Sequence, residues 1–235
     1  MFFSMERYSV ITEKCKREIV LLRGRGCAYR KCAFCDYHLD YSHDDKQNLA
    51  LNRIVLDNVT GIYGELEVIN SGSVFELDDG TLELIKTVCR EKNISVIHFE
   101  THYMYKRRLD KLRQRFDGFS IKYKLGLETF DYDFRERFLH KGIKDREPET
   151  IAEGFDEANF LFGLSGQTAA GMINDIELGL KHFERICVNV MCENTTAVKP
   201  DPTVVSAFLT QVYPIYKSCS RVDILINNTD FGVGE

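Results

Sequence analysis

Three cysteines, Cys27, Cys32 and Cys35, fall within nine residues of the run Arg25-Gly-Cys-Ala-Tyr-Arg-Lys-Cys-Ala-Phe-Cys-Asp-Tyr-His38, directly after the apolar stretch Ile19-Val-Leu-Leu22. A loop of three thiolates at a strand exit can bind three corners of a cubane iron–sulfur cluster and leave the fourth iron open to a small molecule. The same run also reads as a zinc site, because His38 follows Cys35 by three positions and completes a Cys3His knuckle. These residues alone leave both metals open.

The elements around them give the loop its place. Short β-rich runs at 19–23, 66–70, 94–99, 120–126, 159–163, 186–191 and 222–227 alternate with amphipathic segments, and residues 8–12 form a possible extra strand at the start. Leu51, Ile54, Val55, Val59 and Ile62 recur at helical spacing, as do Leu82, Ile85, Val88 and Cys89, and Tyr105, Leu109, Leu112 and Phe116. Asp131 opens a further helix that stops at Gly142 with Lys141 in its last turn, and Asp201-Pro202 supplies an N-cap and first helical residue. Regular alternation of this kind predicts an α/β fold, a partial or near-complete TIM-like (β/α) barrel of parallel strands. No linker or repeat interrupts it, so residues 1–235 are expected to form a single domain, with 1–18 as a short N-terminal extension.

Composition narrows the class. With 44% hydrophobic residues, sixteen Phe and eleven Tyr, the chain has ample material for a core. Eight cysteines, and an opening run that turns charged at Glu6 and Arg7 before any useful apolar length, predict free thiols in a reducing cytoplasm and no signal peptide. No apolar run approaches the roughly 20 residues that cross a bilayer, so no membrane partner is expected. A net charge of −5 is a poor footprint for a phosphate backbone and favours a small substrate over nucleic acid.

Polar and glycine-containing motifs collect after the strands: Asn70-Ser-Gly-Ser73, Glu100-Thr-His102, Gly126-Leu-Glu-Thr129, Gly163-Leu-Ser-Gly-Gln-Thr168, Asn189 with Glu193-Asn-Thr-Thr196, and Asn227-Asn-Thr-Asp230. Each alone is ordinary turn chemistry. Their recurrence at one set of strand ends marks the rim where (β/α) folds carry their sites.

With the cysteines after the first strand, Ser-Gly-Ser after the second, Gly-Leu-Glu-Thr at the fourth and Gly-Leu-Ser-Gly-Gln-Thr at the fifth, the chain resembles radical S-adenosylmethionine enzymes over nearly its full length. Phe34, just before the last cysteine, fits the aromatic usual there. One departure stands out: the family's usual spacing is C-x3-C-x2-C, and here one extra residue lies between Cys27 and Cys32. The resemblance implies a 4Fe-4S cluster on Cys27, Cys32 and Cys35, with S-adenosylmethionine chelating the open iron and yielding, on reduction by a donor such as flavodoxin or ferredoxin, a radical that abstracts a substrate hydrogen. No side chain is assigned to the abstraction itself. The resemblance further implies that Phe34 lies against the adenine, that Ser71, Gly72 and Ser73 occupy the place of the motif holding the methionine ammonium, and that Glu128 contacts the ribose or methionine end. Glu100 and Asn189 are further cofactor candidates. Cys89, Cys187 and Cys219 read as small core residues.

The Ser-Gly-Ser strand end, the Gly-Leu-Glu-Thr motif and the Glu-Arg-Phe-Leu-His-Lys-Gly142 run resemble the branch acting on deazapurines and tRNA, and the compact length and cysteine spacing look most like the queuine lyases of bacterial queuosine salvage. That likeness implies cleavage of the C–N bond that joins queuine to its cyclopentene-diol arm, giving preQ1. A deazaguanine needs a ring to stack on and polar groups for its edge, and Tyr37, Glu76, Asn227 and Asp230 are the substrate candidates. The alternatives are an enzyme modifying tRNA or another deazapurine, and a non-catalytic zinc-binding α/β module.

Overall fold

Charged residues open half of the strands and apolar residues fill most of their length. The computed structural model describes residues 6–227. The strands are β1 (Tyr8–Ile11), β2 (Arg17–Leu22), β3 (Glu65–Asn70), β4 (Val96–Thr101), β5 (Ser120–Glu128), β6 (Glu157–Phe162), β7 (Arg185–Val190) and β8 (Val222–Leu225). They stand in one sheet in sequence order. The β1–β2 pair is antiparallel, whereas β2–β3, β3–β4, β5–β6, β6–β7 and β7–β8 are parallel. Helices α1 (Asp45–Leu56), α2 (Asp79–Glu91), α3 (Leu109–Arg115), α4 (Pro148–Ala152), α5 (Ala169–His182), α6 (Pro202–Ala207) and α7 (Tyr213–Tyr216) occupy the connections. This is the expected (β/α) topology of a partial barrel, with the antiparallel β1 as the extra strand.

The described residues divide into two compact units. One contains residues up to Arg30 together with 37–123, and the other residues 31–36 together with those from Lys124 onward. In the first unit β2 is buried at all six positions, Leu66, Val68, Ile97 and Phe99 are fully buried, and Leu82, Ile85, Val88 and Cys89 form the inner stripe of α2. Asp78 caps α2 by accepting from Thr81 N–H at 2.8 Å, and Asp44 caps α1 by accepting from Lys46 N–H at 2.9 Å. In the second unit Phe160, Phe162, Val188, Ile176 and Phe208 are fully buried, and Thr168 and Asp201 cap α5 and α6 as their residue types predict.

Three expectations need correction. On α1, Ile54 is 67% exposed and Ile62, beyond the helix, 66% exposed, while Asn48 and Asn52 face inward. Asn52 accepts from Arg23 N–H at 2.8 Å and donates to Arg23 C=O at 2.9 Å, so the helix is fastened to the exit of β2 by amide bonds. The helix expected to run from Asp131 to Gly142 ends at Phe138 in a π-helical turn, Phe134–Phe138. Leu139 N–H donates to Phe134 C=O, and the buried Arg135 guanidinium donates to the carbonyls of Thr129, Ile143 and Asp145 at 3.0, 3.1 and 2.7 Å, folding the chain back. Lys141 therefore lies past the helix. Cys219, expected in the core, is half-buried in the turn after α7, whereas Cys89 and Cys187 are buried, and none of the eight cysteines is in a disulfide.

Candidate active site

In the first unit the cysteine loop leaves β2 and is held from beneath by one acid. Glu76 is 8% exposed; its Oε1 accepts from the N–H of Ala28 at 3.2 Å and the hydroxyl of Tyr105 at 2.6 Å, and its Oε2 from the N–H of Ser73. Its main-chain carbonyl accepts from Arg25 N–H at 3.0 Å. Burial pushes the Glu76 carboxyl above its usual range, and the Tyr105 hydroxyl and the two N–H groups pull against that rise. Tyr105 is raised in turn, first by burial and then by its bond to Glu76. Glu76, expected at the substrate, thus anchors the loop immediately after Cys27.

The Ser71-Gly72-Ser73 turn sits against the same loop. A Cβ at Gly72 would lie 2.8 Å from Glu76 Oε2 and 3.0 Å from Cys27 Cα, so only glycine permits this approach. Ser71 Oγ donates to Asp40 Oδ2 at 3.3 Å, and Ser73 Oγ lies 2.8 Å from Thr101 Oγ1. Glu100 is half-buried near the end of β4.

In the second unit Cys32 and Cys35 bracket Phe34, whose carbonyl accepts from Asn194 Nδ2 at 2.6 Å. Ala33 N–H donates to Leu139 C=O at 3.0 Å, and Asp36 accepts from Thr195 N–H at 2.9 Å. Phe34 packs beside the cluster of Leu139, Leu161, Leu164 and Met191. Glu128 ends β5 with φ +73°, a strained conformation for any residue but glycine, and its carboxylate accepts from Lys141 Nζ at 2.7 Å. Both partners are buried. Desolvation works against the ammonium, yet Glu128 and the thiols of Cys32 and Cys35 hold Lys141 above its usual pKa. Its Nζ stands 5.5 Å from the centre of the Phe34 ring and 2.9 Å from where a Cβ on Gly126 would lie. The sequence reading missed Lys141 because it placed the residue on a helix end.

Asn189 lies within β7, its amide donating to Phe160 C=O at 3.4 Å. Tyr37 is 50% exposed on a short 3-10 turn, and Asn227 is exposed beyond β8. Asp230 and the side chain of His38 lie outside the described residues. A cavity of about 390 Å³ in the second unit is lined by Thr129, Asp131, Gln167 and Asp175 among others, and by none of the assigned metal or cofactor residues.

Among the described residues no three His, Cys, Asp or Glu side chains gather around one point as a single metal ion demands. A cubane asks for something else, since each thiolate takes a different iron. Cys27, Cys32 and Cys35 are in no disulfide, are half-buried and lie on one loop, and the donor set is all sulfur, so the residues fit a cluster with one open iron.

No family model matches the sequence, and no curated protein does. Among solved structures, a queuine lyase from Clostridium spiroforme, bound to SAM and queuine, is 42% identical, with a TM-score of 0.92, covering 99% of this chain and 100% of its own. Streptococcus suis SuiB is 16% identical at a TM-score of 0.57, covering 87% of this chain and 48% of its own. Methylornithine synthase is 13% identical at a TM-score of 0.51, covering 83% of this chain and 62% of its own, so these two share the fold alone. The resemblance read from the motifs holds, the non-catalytic zinc module is set aside, and the chain belongs to the queuine lyase family of radical S-adenosylmethionine enzymes.

Proposed function

We propose that the protein cleaves the C–N bond between queuine's cyclopentene-diol arm and its deazaguanine part, releasing preQ1. The observation that carries this reading is the full-length match to a queuine lyase bound to SAM and queuine, at 42% identity. When bound, a 4Fe-4S cluster and S-adenosylmethionine supply the hydrogen abstraction that starts the cleavage. The protein's own residues hold and orient. Cys27, Cys32 and Cys35 would ligate the cluster, Glu76 fixes the backbone after Cys27, and Lys141 holds the Glu128 carboxylate in place at the end of β5. Ser71, Gly72 and Ser73 receive the methionine end of the cofactor, with Phe34 at its adenine.

The ring of Tyr37, half exposed, offers a face for the deazaguanine, and the Asn227 amide offers a donor and an acceptor for its edge. A low-potential one-electron donor of the flavodoxin or ferredoxin type would be the electron-transfer partner, and eight cysteines with no disulfide among them suit a reducing cytoplasm. No helix of the described residues is long and apolar enough to cross a membrane.

Anaerobic reconstitution tests the reading. A brown protein with about four irons per molecule that converts queuine to preQ1 with formation of 5′-deoxyadenosine is the expected result. Absence of 5′-deoxyadenosine when queuine, S-adenosylmethionine and reductant are all present overturns it. Loss of the Tyr37 ring in Tyr37→Ala is expected to raise KM for queuine roughly tenfold with little change in kcat, the size of one base–aromatic stack.

A further inference from the structure

The loop between Cys27 and Cys32 is one residue longer than the usual spacing, and Arg30 lies within it. This residue has φ +50°, a left-handed conformation that costs an L-residue about 1 kcal/mol. Its contacts oppose that cost. The Arg30 N–H donates to Cys27 Sγ at 3.5 Å, its Nε donates to Cys27 C=O at 2.8 Å, and its guanidinium sits over the Tyr41 ring at 4.8 Å. On the near side of the turn the Tyr29 ring stacks on His102, with centroids 4.3 Å apart and planes 26° from parallel. The imidazole is itself held, its Nδ1 accepting from Met104 N–H at 3.1 Å.

A turn held on both flanks, with an N–H directed at a cluster ligand, has an electronic consequence. Reduction by a low-potential one-electron donor adds a negative charge that the sulfurs share. An N–H dipole on a sulfur stabilises that reduced form more than the oxidised one, and hydrogen bonds to sulfur are among the determinants of cluster potential. We propose that Arg30 is a positioning residue whose left-handed backbone directs its N–H at the Cys27 sulfur and raises the reduction potential of the bound cluster. This rests on the functional reading above, because it requires that Cys27 ligate a cluster.

The test compares reconstituted wild type, Arg30→Gly and Arg30→Val in a dithionite titration followed by electron paramagnetic resonance. Glycine keeps the N–H and adopts a positive φ freely, whereas a β-branched residue rejects it. The expected result is an Arg30→Gly potential at the wild-type value and an Arg30→Val potential shifted downward at equal iron content. An unshifted Arg30→Val, or an Arg30→Gly lowered as far as Arg30→Val, overturns the proposal. If Arg30→Val takes up no iron, Arg30→Ala, which strains the turn less, takes its place under the same two criteria. A wild-type protein that takes up no iron overturns the functional reading itself and this proposal with it, whereas iron-loaded variants with equal potentials overturn this proposal alone.

Discussion

The two ends of the strands use buried charge in opposite ways. At the N-terminal ends, charges close on one another. Arg17 of β2 pairs with Glu67 of β3 in the first unit, and in the second Arg185 of β7 donates to both oxygens of Glu157 at 3.0 and 2.6 Å and to Asp223 at 2.5 Å. At the C-terminal ends, acids reach for loops: Glu76 binds main-chain N–H groups of two turns, and Asp175 binds Thr129 and Phe130 just past β5. The first arrangement offsets desolvation locally and leaves nothing for a ligand. The second fixes backbone next to cysteines and glycines, at the rim where (β/α) proteins do chemistry.

The sharpest way to break this contrast is to remove one charge at each end. Arg185→Met leaves Glu157 and Asp223 buried without their shared cation, and the expected cost is about 3–5 kcal/mol in urea unfolding, with turnover per folded, iron-loaded molecule unchanged. Lys141→Met leaves Glu128 free to turn at the strained end of β5, and kcat/KM for queuine is expected to fall roughly a hundredfold, as misplacement by about 1 Å does. If Arg185→Met instead lowers turnover per folded molecule, the two ends are not functionally distinct.

This contrast also explains what the sequence revealed. Alternation of apolar runs and helical stripes located every strand, yet the expected starts at 19, 66, 159 and 186 missed Arg17, Glu18, Glu65, Glu157 and Arg185. Those residues are charged, and a charge inside a strand becomes legible only once its partner on the next strand is known. The same limit hid part of the inward face of α1, where Asn48 and Asn52 are buried together with Val55 and Leu56, and the end of the 131–142 segment, which the buried Arg135 turns back. The cysteines, the Ser-Gly-Ser turn and the Gly-Leu-Glu-Thr motif were legible because spacing alone carries them. Lys141 was not, since its bond to Glu128 spans 13 residues across a fold-back that no local pattern announces.

A buried acid held only by a hydroxyl and an N–H should make stability depend on pH. Burial raises Asp175 from 3.8 to about 6, against the pull of the Thr129 hydroxyl and Phe130 N–H. A carboxyl raised on folding binds its proton more tightly in the folded state, so its stabilising contribution is present below pH 3.8 and is lost as pH rises to about 6. Relative to Asp175→Asn, the wild type is expected to lose on the order of 2 kcal/mol across that window. Parallel stability curves for the two proteins between pH 4 and pH 6 would remove Asp175 from the account.

A smaller effect is expected where the rim is crowded. In Gly126→Ala the added Cβ falls 2.9 Å from Lys141 Nζ, and the ammonium can retreat along its flexible stem. Unfolding should cost only about 1 kcal/mol. Retreat nevertheless draws Nζ from Glu128, so kcat/KM is expected to fall by more than stability alone accounts for. Equal losses in both would mean that the Lys141–Glu128 contact serves the fold and not the site.

The least sensitive position should be one that hydrophobicity alone would have placed in the core. Ile54 lies on α1 with 67% of its surface exposed, while two residues away Asn52 is fully buried and bonds both backbone groups of Arg23 and the hydroxyl of Thr81. Ile54→Lys is expected to stay within about 0.5 kcal/mol of wild type, as exposed positions do. Asn52→Leu, which adds an apolar side group, is expected to cost about 2 kcal/mol by leaving the Arg23 N–H and C=O without their amide partner. Both are read from urea midpoints. A larger loss at Ile54 than at Asn52 would restore the apolar stripe as the inner face of α1, and with it the view that hydrophobicity, not hydrogen bonding, docks this helix beside the cysteine loop.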